Sequence, residues 1–407
     1  MRRVVVTGMG IWSCIGQDLQ TVTESLKKGR SGIIFDPKRI EYGLHSGLVG
    51  NVPRPDLKPL LPRKFRATMS ADAEYAYMAA RQAFEQAGMS EEYLRQNEIG
   101  VLWGNDSGAS TVAEGCKILE QYHDSLMLGP TRIFQAGASS AVMNMSTIFH
   151  LQGGGITTAA GCASSSHAIG LALMLIQTGK QETMLVGGSS EILPIMSAAF
   201  DATHVLSLRN NDPTHASRPF DQDRDGMVFS GGAAALVLEE YEHAVERGAT
   251  ILAEVAGYGF SSNGIEEISM PSAEAEYTAM KRALDDAGLQ PSDIDYVNAH
   301  ATSTIAGDIE EAKALTRLFG SKPYISSTKS MTGHENWMAG ASEAVYSILM
   351  MQNGFVAPNI NLENVIDEAK DLNIARETIY TPIRTVLSNS SGMGGTNSAL
   401  VFRKIGS

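Results

Sequence analysis

The chain has 407 residues and carries 32 lysines and arginines against 45 aspartates and glutamates, a formal net charge of −13. This acidity excludes sequence-independent nucleic-acid binding as the main activity, because such binding needs clustered cations that replace the counterions of the phosphates. Hydrophobic residues make up 43% of the chain and charged residues 19%, a balance that favours a large core and excludes global disorder.

The N-terminus and the cysteines indicate a soluble, cytoplasmic protein. The apolar run Val4–Val6 is interrupted by Gly8 and Gly10, so we predict a first strand entering a glycine turn rather than a signal peptide. No apolar stretch approaches the roughly 18 residues of a membrane span. The three scattered cysteines are too few for a disulfide framework or a Cys-based zinc site: Cys14, Cys116 and Cys162.

Short β-rich runs alternate with amphipathic helical patterns, which favours an α/β architecture with largely buried strands. The predicted strands include Val4–Thr7, Ile99–Trp103, Thr183–Gly187, Ile251–Val255, Tyr296–Ala299 and Tyr324–Ser327. Residues 81–89 and 281–289 share the frame basic-x-Ala-apolar-acidic-x-Ala-Gly-apolar, which is typical of a helix closed by a glycine. This internal echo favours two similar halves, split near residue 250 and packed as one body.

Cys162 lies in residues 156–170, a segment typical of a strand, a sharp turn and a helix. Unpaired backbone N–H groups and the dipole at a helix start favour a thiolate, whereas a free thiol is only a few per cent ionised at neutral pH. The spacing alone leaves two interpretations open, a nucleophile or a small buried cysteine.

Three later segments, around His300, around Lys329 and His334, and at Ser388–Asn397, each follow or join predicted strands and carry small polar residues. A histidine at a strand end is more often structural, and a lysine is more often a solvated surface group. The glycine-rich run Ser388–Asn397 is either an ordinary hairpin or a loop whose N–H groups approach a substrate oxygen. As a set, the segments indicate covalent acyl chemistry, and their polar residues are His300, Thr302, Thr304, Lys329 and His334.

These segments closely resemble the β-ketoacyl-acyl-carrier-protein synthases, essentially from end to end and most closely the synthase I/II class. The resemblance implies a thiolase-like α/β fold, a duplicated five-layer αβαβα arrangement. Residues 1–250 would carry the nucleophile and residues 251–407 the two histidines. The matching residues are Gly161–Ala163, His300–Thr304, Lys329–His334, Gly392–Asn397, Val5–Gly10, Ser217–Asp221, Arg224–Gly226, Gly231, Gly232 and Glu239.

The resemblance implies a decarboxylating Claisen condensation that extends a carrier-bound acyl chain with malonyl units in fatty-acid elongation. Cys162 would accept the acyl group, with its own N–H and that of Met393 as oxyanion donors. His300 and His334, as neutral imidazoles, would donate to the enolate left by decarboxylation. No cofactor is expected, because phosphopantetheine arrives on the acyl carrier protein.

The same resemblance assigns supporting residues and partners. Lys329 would be held by Glu343 on the following helix and would disfavour protonation of the imidazoles. We expect a homodimer or a heterodimer with a related subunit, and no nucleic-acid or membrane partner. Thr302 and Thr304 would bind the phosphopantetheine arm, and Asp308 would have a structural role. Arg63, Lys64 and Arg66 would dock the carrier, or would otherwise form a solvated helix start. No metal is required, but a monovalent cation is expected near Asn298, Glu343, Ser388 and Asn389.

The chain departs from the family pattern beside these residues. The family usually has glycine where Ala301 stands, and an alanine at positive φ costs about 1 kcal/mol, so we predict a negative φ. Methionine at position 393 replaces an aromatic gate, and Ser391 also stands where phenylalanine is common, so we expect looser gating. Residues 335–338, Glu-Asn-Trp-Met, place bulk directly after His334.

Other functions fit parts of the pattern. A ketosynthase of a type II polyene or aryl-polyene polyketide pathway would share the fold and reaction. A non-catalytic subunit of the chain-length-factor kind usually lacks the nucleophile, which is present here. Thiolases are disfavoured because the final glycine-rich loop has no second cysteine. A dinucleotide-binding oxidoreductase is disfavoured because residues 8–13 lack the third glycine of its fingerprint.

Overall fold

A computed structural model describes residues 1–265 and 267–405 of the chain. The strands are β1 (Val4–Trp12), β2 (Ile33–Phe35), β3 (Leu48–Gly50), β4 (Ile99–Gly104), β5 (Gly155–Thr158), β6 (Thr183–Ser190), β7 (Gly232–Glu240), β8 (Ala253–Ser262), β9 (Tyr296–Asn298), β10 (Tyr324–Ser326), β11 (Phe355–Val356), β12 (Ile379–Tyr380), β13 (Thr385–Gly392) and β14 (Thr396–Arg403). Strands β2 and β3 form one small ribbon, and β11 and β12 form another.

The helices alternate with these strands as the sequence predicts. They are α1 (Leu19–Lys28), α2 (Pro37–Glu41), α3 (Arg63–Arg66), α4 (Ala71–Gln86), α5 (Glu91–Gln96), α6 (Ala109–Tyr122), α7 (Arg132–Ala136), α8 (Ser140–Phe149), α9 (Ser164–Gln177), α10 (Pro194–Ala202), α11 (Tyr241–Glu246), α12 (Ala273–Ala287), α13 (Ile305–Phe319), α14 (Lys329–Thr332) and α15 (Ala339–Asn353). In the described ranges, no helix has the length and apolar character needed to cross a membrane.

The main sheet consists of two halves with the same topology. Its strand order is β10-β9-β13-β14-β8-β1-β7-β6-β4-β5. When the five strands of each half are numbered in chain order, they lie side by side from the centre of the sheet outward as 1-5-4-2-3. Parallel and antiparallel pairs occur at the same places in both halves. Only two residue pairs, Val5–Glu254 and Val6–Ala253, join the halves through β1 and β8.

Helices cover both faces of each half, which gives five layers. Helices α4 and α8 pack on the outer face of the first half, and α12 and α13 cover the second. Helices α9 and α15 lie in the middle and contact strands of both halves. The fold is therefore the duplicated αβαβα arrangement expected from the sequence.

The same glycine contacts occur in both halves. A Cβ at Gly8 or Gly10 of β1 would lie about 2 Å from a backbone oxygen of α4, and one at Gly257 or Gly259 of β8 would meet α12 in the same way. These glycines let a helix lie directly on the first strand of each half. The glycine pair near the N-terminus thus serves helix packing.

Candidate active site

Cys162 lies in a tight turn between β5 and α9. Gly161 has φ 53°, a left-handed conformation that favours glycine, and a Cβ there would lie 3.3 Å from the backbone nitrogen of Met393. Ser164 stabilises the turn, since its hydroxyl accepts from the N–H of Ala160 at 2.9 Å and donates to the carbonyl of Gly161 at 2.6 Å. The turn places a cysteine that is only 6% exposed at the start of a buried helix.

Burial determines the protonation state of Cys162. It raises the pKa of the thiol to about 11, against the opposing effects of the Met393 N–H and the Lys329 ammonium. Burial therefore opposes the thiolate that the helix start was expected to favour. The Met393 N–H and the Lys329 ammonium act in its favour.

The glycine-rich loop is a hairpin that also reaches the cysteine. It joins β13 to β14, with Gly394 and Gly395 at φ 81° and 85°. The Met393 N–H approaches the sulfur of Cys162 closely enough to hydrogen-bond it. The Met393 residue itself is 63% exposed, so its side chain does not close over the thiol as a packed gate.

His300 and His334 lie together, with ring centroids 5.3 Å apart and ring planes at 88°. Burial first, and the Lys329 ammonium second, hold the pKa of both imidazoles well below its usual range. Both rings are therefore neutral at physiological pH. The Nδ1 of His334 accepts from the N–H of Asn336 at 3.4 Å, which leaves its proton on Nε2. Asn336 adopts φ 50° to make this contact.

Lys329 begins α14, three residues after the end of β10, and its ammonium donates to Glu343 of α15. The two side chains are 2% and 1% exposed. Burial raises the pKa of Glu343 to about 7 against the attraction of the lysine. Glu343 thus holds the Lys329 ammonium where its charge acts on Cys162, His300 and His334.

Glu311 fixes the loop that carries His300, a role that the sequence reasoning missed. Its carboxyl accepts from the N–H groups of His300 and Ala301 at 2.7 and 2.6 Å and from the amide of Asn389 at 2.7 Å. The signal was a spacing of three from Asp308, which places both carboxyls on one face of α13. Glu276 of α12, also unassigned before, is buried beside Glu311.

Asp308 holds two strained residues in place. It accepts from the N–H groups of Phe220 at 2.8 Å and Ser303 at 3.1 Å, and these residues have φ 64° and 72°. Arg224 lies 3.6 Å from the same carboxyl, while burial raises the pKa of Asp308 to about 7. Ala301 lacks a positive φ, as predicted, because Ser303 makes the turn instead.

Four of the buried oxygen atoms that lack hydrogen-bond partners within the described ranges belong to the residues expected to surround a monovalent cation. Asn298 and Ser388 are paired neighbours on β9 and β13, and Asn389 follows. Glu343 lies on α15, which packs on β13. An unpaired buried oxygen is costly, whereas hard cations bind oxygen ligands. The atoms are Asn298 Oδ1, Glu343 Oε2, Ser388 Oγ and Asn389 Oδ1.

The residues expected to meet the carrier range from buried Thr302 to exposed Arg63 and Lys64. The hydroxyls of Thr302 and Thr304 are 3.0 Å apart, so both face one side of the His300 loop. Arg63 and Lys64 are exposed on α3. Arg66 is half-buried and donates to the carbonyl of Leu61 at 3.0 Å, which leaves it less free to bind a partner.

The residues after His334 are all buried. Trp337 packs with Met196 and Phe229, and Phe229 in turn bridges to His334. Glu335 is enclosed by hydroxyl groups of neighbouring elements, and burial raises its pKa to about 7. The bulk in this segment therefore supports the backbone of His334.

A duplicated five-layer fold that joins a buried cysteine, two neutral imidazoles and a buried ammonium defines the thiolase-like condensing enzymes. Residues 1–244 match the family described as "Beta-ketoacyl synthase, N-terminal domain", and residues 252–363 match "Beta-ketoacyl synthase, C-terminal domain". The chain belongs to the β-ketoacyl synthase family.

Similar proteins agree with this membership. The chain is 41% identical to 3-oxoacyl-[acyl-carrier-protein] synthase 1 of Escherichia coli (strain K12) over 409 positions that cover 100% of both chains. It is 37% identical to a β-ketoacyl synthase crystal structure from Burkholderia phymatum STM815, with a TM-score of 0.96 and full coverage of both chains. A type II polyketide ketosynthase, solved with its acyl-carrier protein and bound to a hexaketide, is 29% identical with a TM-score of 0.89 and full coverage of both.

Proposed function

We propose that this protein catalyses the decarboxylating condensation of an acyl group, carried on Cys162, with a malonyl group held on an acyl carrier protein. The observation that supports this most strongly is the buried Lys329 ammonium, held by Glu343, whose charge acts on Cys162, His300 and His334 at once. In this proposal residues 1–250 supply the nucleophile and residues 251–407 supply the imidazoles.

In the first step the Cys162 sulfur attacks the carrier thioester. The new S–C bond forms on Cys162, the carrier S–C bond breaks, and the thiol proton leaves with the carrier sulfur. The N–H groups of Cys162 and Met393 donate to the oxygen that gains negative charge. Since burial raises the pKa of the thiol, this proton leaves Cys162 as the acyl group arrives.

In the second step the malonyl carboxylate leaves as CO2, and its C–C bond electrons form an enolate. The Nε2–H of His334 and the facing ring of His300 supply neutral donors for that oxygen. Neutral donors suit this step because an imidazolium would give up its proton to the enolate. The enolate carbon then attacks the Cys162 thioester, a C–C bond forms, and the cysteine sulfur leaves and takes up a proton.

The steps use no resident cofactor, because phosphopantetheine arrives on the carrier. We propose that its arm passes Thr302 and Thr304 and that Arg63 and Lys64 contact the acidic carrier. A monovalent cation held by Asn298, Glu343, Ser388 and Asn389 would balance the buried carboxyls behind the histidines.

We propose that two copies pair along the outer edge of the first half. Strand β5 is the terminal strand of the sheet, and Ile156 on it is 47% exposed. Unpaired strand edges and large apolar patches mark interfaces. Leu126, Met127 and Ile133 add exposed apolar surface in the connection that leads to this edge. Sedimentation of the purified chain tests this, and a monomer at micromolar concentration would contradict it.

Incubation with acyl-carrier and malonyl-carrier tests the reaction. The β-ketoacyl product should form, and Cys162→Ala should abolish the acyl-enzyme seen by intact mass. His300→Ala and His334→Ala should keep the acyl-enzyme but lose CO2 release. Acylation of the Cys162→Ala variant would overturn the nucleophile assignment.

Primary fatty-acid elongation is the pathway that the 41% identical relative supports. A type II polyketide pathway is the second candidate, because the polyketide ketosynthase shares the fold at a TM-score of 0.89 and the packed gate is absent here. Competition among saturated, polyene and aryl acyl-carriers distinguishes the two. Preference for saturated chains would refute the polyketide assignment.

A further inference from the structure

Asp106 places a carboxylate next to the nucleophile. It lies two residues beyond the end of β4, and its Oδ2 accepts from the N–H of Gly161 at 2.8 Å. The preceding Asn105 is buried, and its amide donates to Asp72 at 2.7 Å and to the carbonyl of Ala138 at 3.2 Å. These contacts hold the backbone before Asp106 in place. The Asp106 carboxylate is therefore fixed against Gly161, the residue that precedes Cys162.

This carboxylate faces solvent, whereas the thiol beside it is buried. Within residues 1–265 and 267–405, no lysine, arginine or histidine forms an ion pair with Asp106. Its charge acts against an anion at Cys162, while the Lys329 ammonium favours one. The cysteine side of the site thus carries a free negative charge, and the histidine side carries the buried positive charge.

The proposed reaction needs such a division, because two different acyl groups enter by the same carrier. The acyl group that loads onto Cys162 is neutral, whereas the malonyl group carries a carboxylate and must react from the histidine side. A malonyl group loaded onto Cys162 would block the enzyme. Two carboxylates held close together repel each other, and dissolved salt weakens this repulsion where one of them faces solvent.

We propose that Asp106 is a specificity-determining residue that rejects acyl groups bearing a carboxylate from Cys162. The proposal rests on the condensing function argued above. The loading step itself is unchanged: the S–C bond to Cys162 forms, the S–C bond to the carrier breaks, and the proton passes to the carrier thiol. The selection acts on which acyl group reaches the sulfur.

The test compares butyryl-carrier with succinyl-carrier, which have the same chain length and differ by one carboxylate. Succinyl does not lose CO2 as malonyl does, so the acyl-enzyme can be counted by intact mass. Asp106→Asn keeps the size of the side chain and removes its charge. We expect the butyryl-to-succinyl ratio of loading rates to fall at least tenfold in this variant.

Asp56→Asn is the matched control. Asp56 is also exposed and also accepts from a backbone N–H, that of Lys58 at 3.0 Å, but it lies outside the site. Its variant should keep the wild-type ratio. The wild-type ratio should also fall at high salt, because an exposed charge is screened.

A second readout follows the thiol directly. Alkylation of Cys162 by iodoacetamide should be faster in Asp106→Asn at about pH 8, because the thiolate becomes easier to form. An unchanged loading ratio in Asp106→Asn would overturn the inference. Failure of the wild-type protein to load butyryl at all would instead overturn the proposed function.

Discussion

The burial of Glu335 allows us to predict how strongly the stability of the protein depends on pH. It is 2% exposed and receives a hydrogen bond from the Ser342 hydroxyl at 2.5 Å. The Tyr346 hydroxyl lies 3.0 and 3.2 Å from its two oxygens. No ion pair reaches it within the described ranges, so we predict that Glu335→Gln makes the protein less sensitive to rising pH.

Burial raises the pKa of Glu335 from 4.5 to about 7. A difference of about 2.5 pKa units corresponds to roughly 3 kcal/mol. Because the folded pKa lies above the unfolded one, the stabilising contribution of the protonated group is complete below about pH 4.5 and is lost as the pH rises through about 7. Glutamine does not titrate, so the stability of the variant relative to wild type should increase by up to roughly 3 kcal/mol between about pH 4 and pH 8.5.

Guanidinium unfolding followed by tryptophan fluorescence at these two pH values measures the difference. Some pH dependence should remain in the variant, because burial also raises the pKa of Asp308 and Glu343 to about 7. Glu377→Gln removes the same charge from an exposed position and should leave the wild-type slope. Equal slopes for wild type and Glu335→Gln would refute the reasoning.

Three further substitutions test the site. Gly161→Ala should slow acylation of the cysteine at least tenfold, since alanine at φ 53° costs about 1–2 kcal/mol and shifts the turn. Gly288→Ala is the control: Gly288 has φ 66° but lies in open space, so this variant should lose only stability. Lys329→Met should destabilise the fold by about 3–5 kcal/mol in chemical unfolding, and adding Glu343→Gln should restore most of that stability without restoring condensation. Ala301→Gly should cost about 1 kcal/mol in the same measurement, and a gain would show that Ala301 is strained.

Most of the fold could be predicted from the sequence, because its strands are continuous apolar runs and its helices end at glycines. Gly88 and Gly288 have φ 69° and 66°, as helix-terminating glycines should. The ends of some strands differ by a few residues from the predicted ends, because strand pairing continues past the apolar run. Strand β8, for example, runs from Ala253 to Ser262 because it pairs with β14 along its length.

The buried charges of the site could not be predicted in the same way. Glutamate is usually a surface residue, so the burial of Glu276 and Glu335 is visible only in the packing of distant elements. For Glu311, the spacing from Asp308 was the one local sign. The exposed position of Met393 depends on the hairpin that carries it, and the raised pKa of Cys162 depends on how completely its neighbours exclude water. Such properties arise from contacts that no local pattern encodes.

The repeated topology relates the residues of the site to one another strand by strand. Strands β4 and β9 hold the same place in the two halves, and so do β5 and β10. Asp106 stands two residues beyond β4 and His300 two residues beyond β9, while Cys162 and Lys329 follow the other pair by four and three residues. The two halves thus place an acid and an imidazole at equivalent positions, and a thiol and an ammonium at nearly equivalent ones. A fold in which one topology is repeated therefore carries a different chemical group at each equivalent position, so its two sides differ in charge.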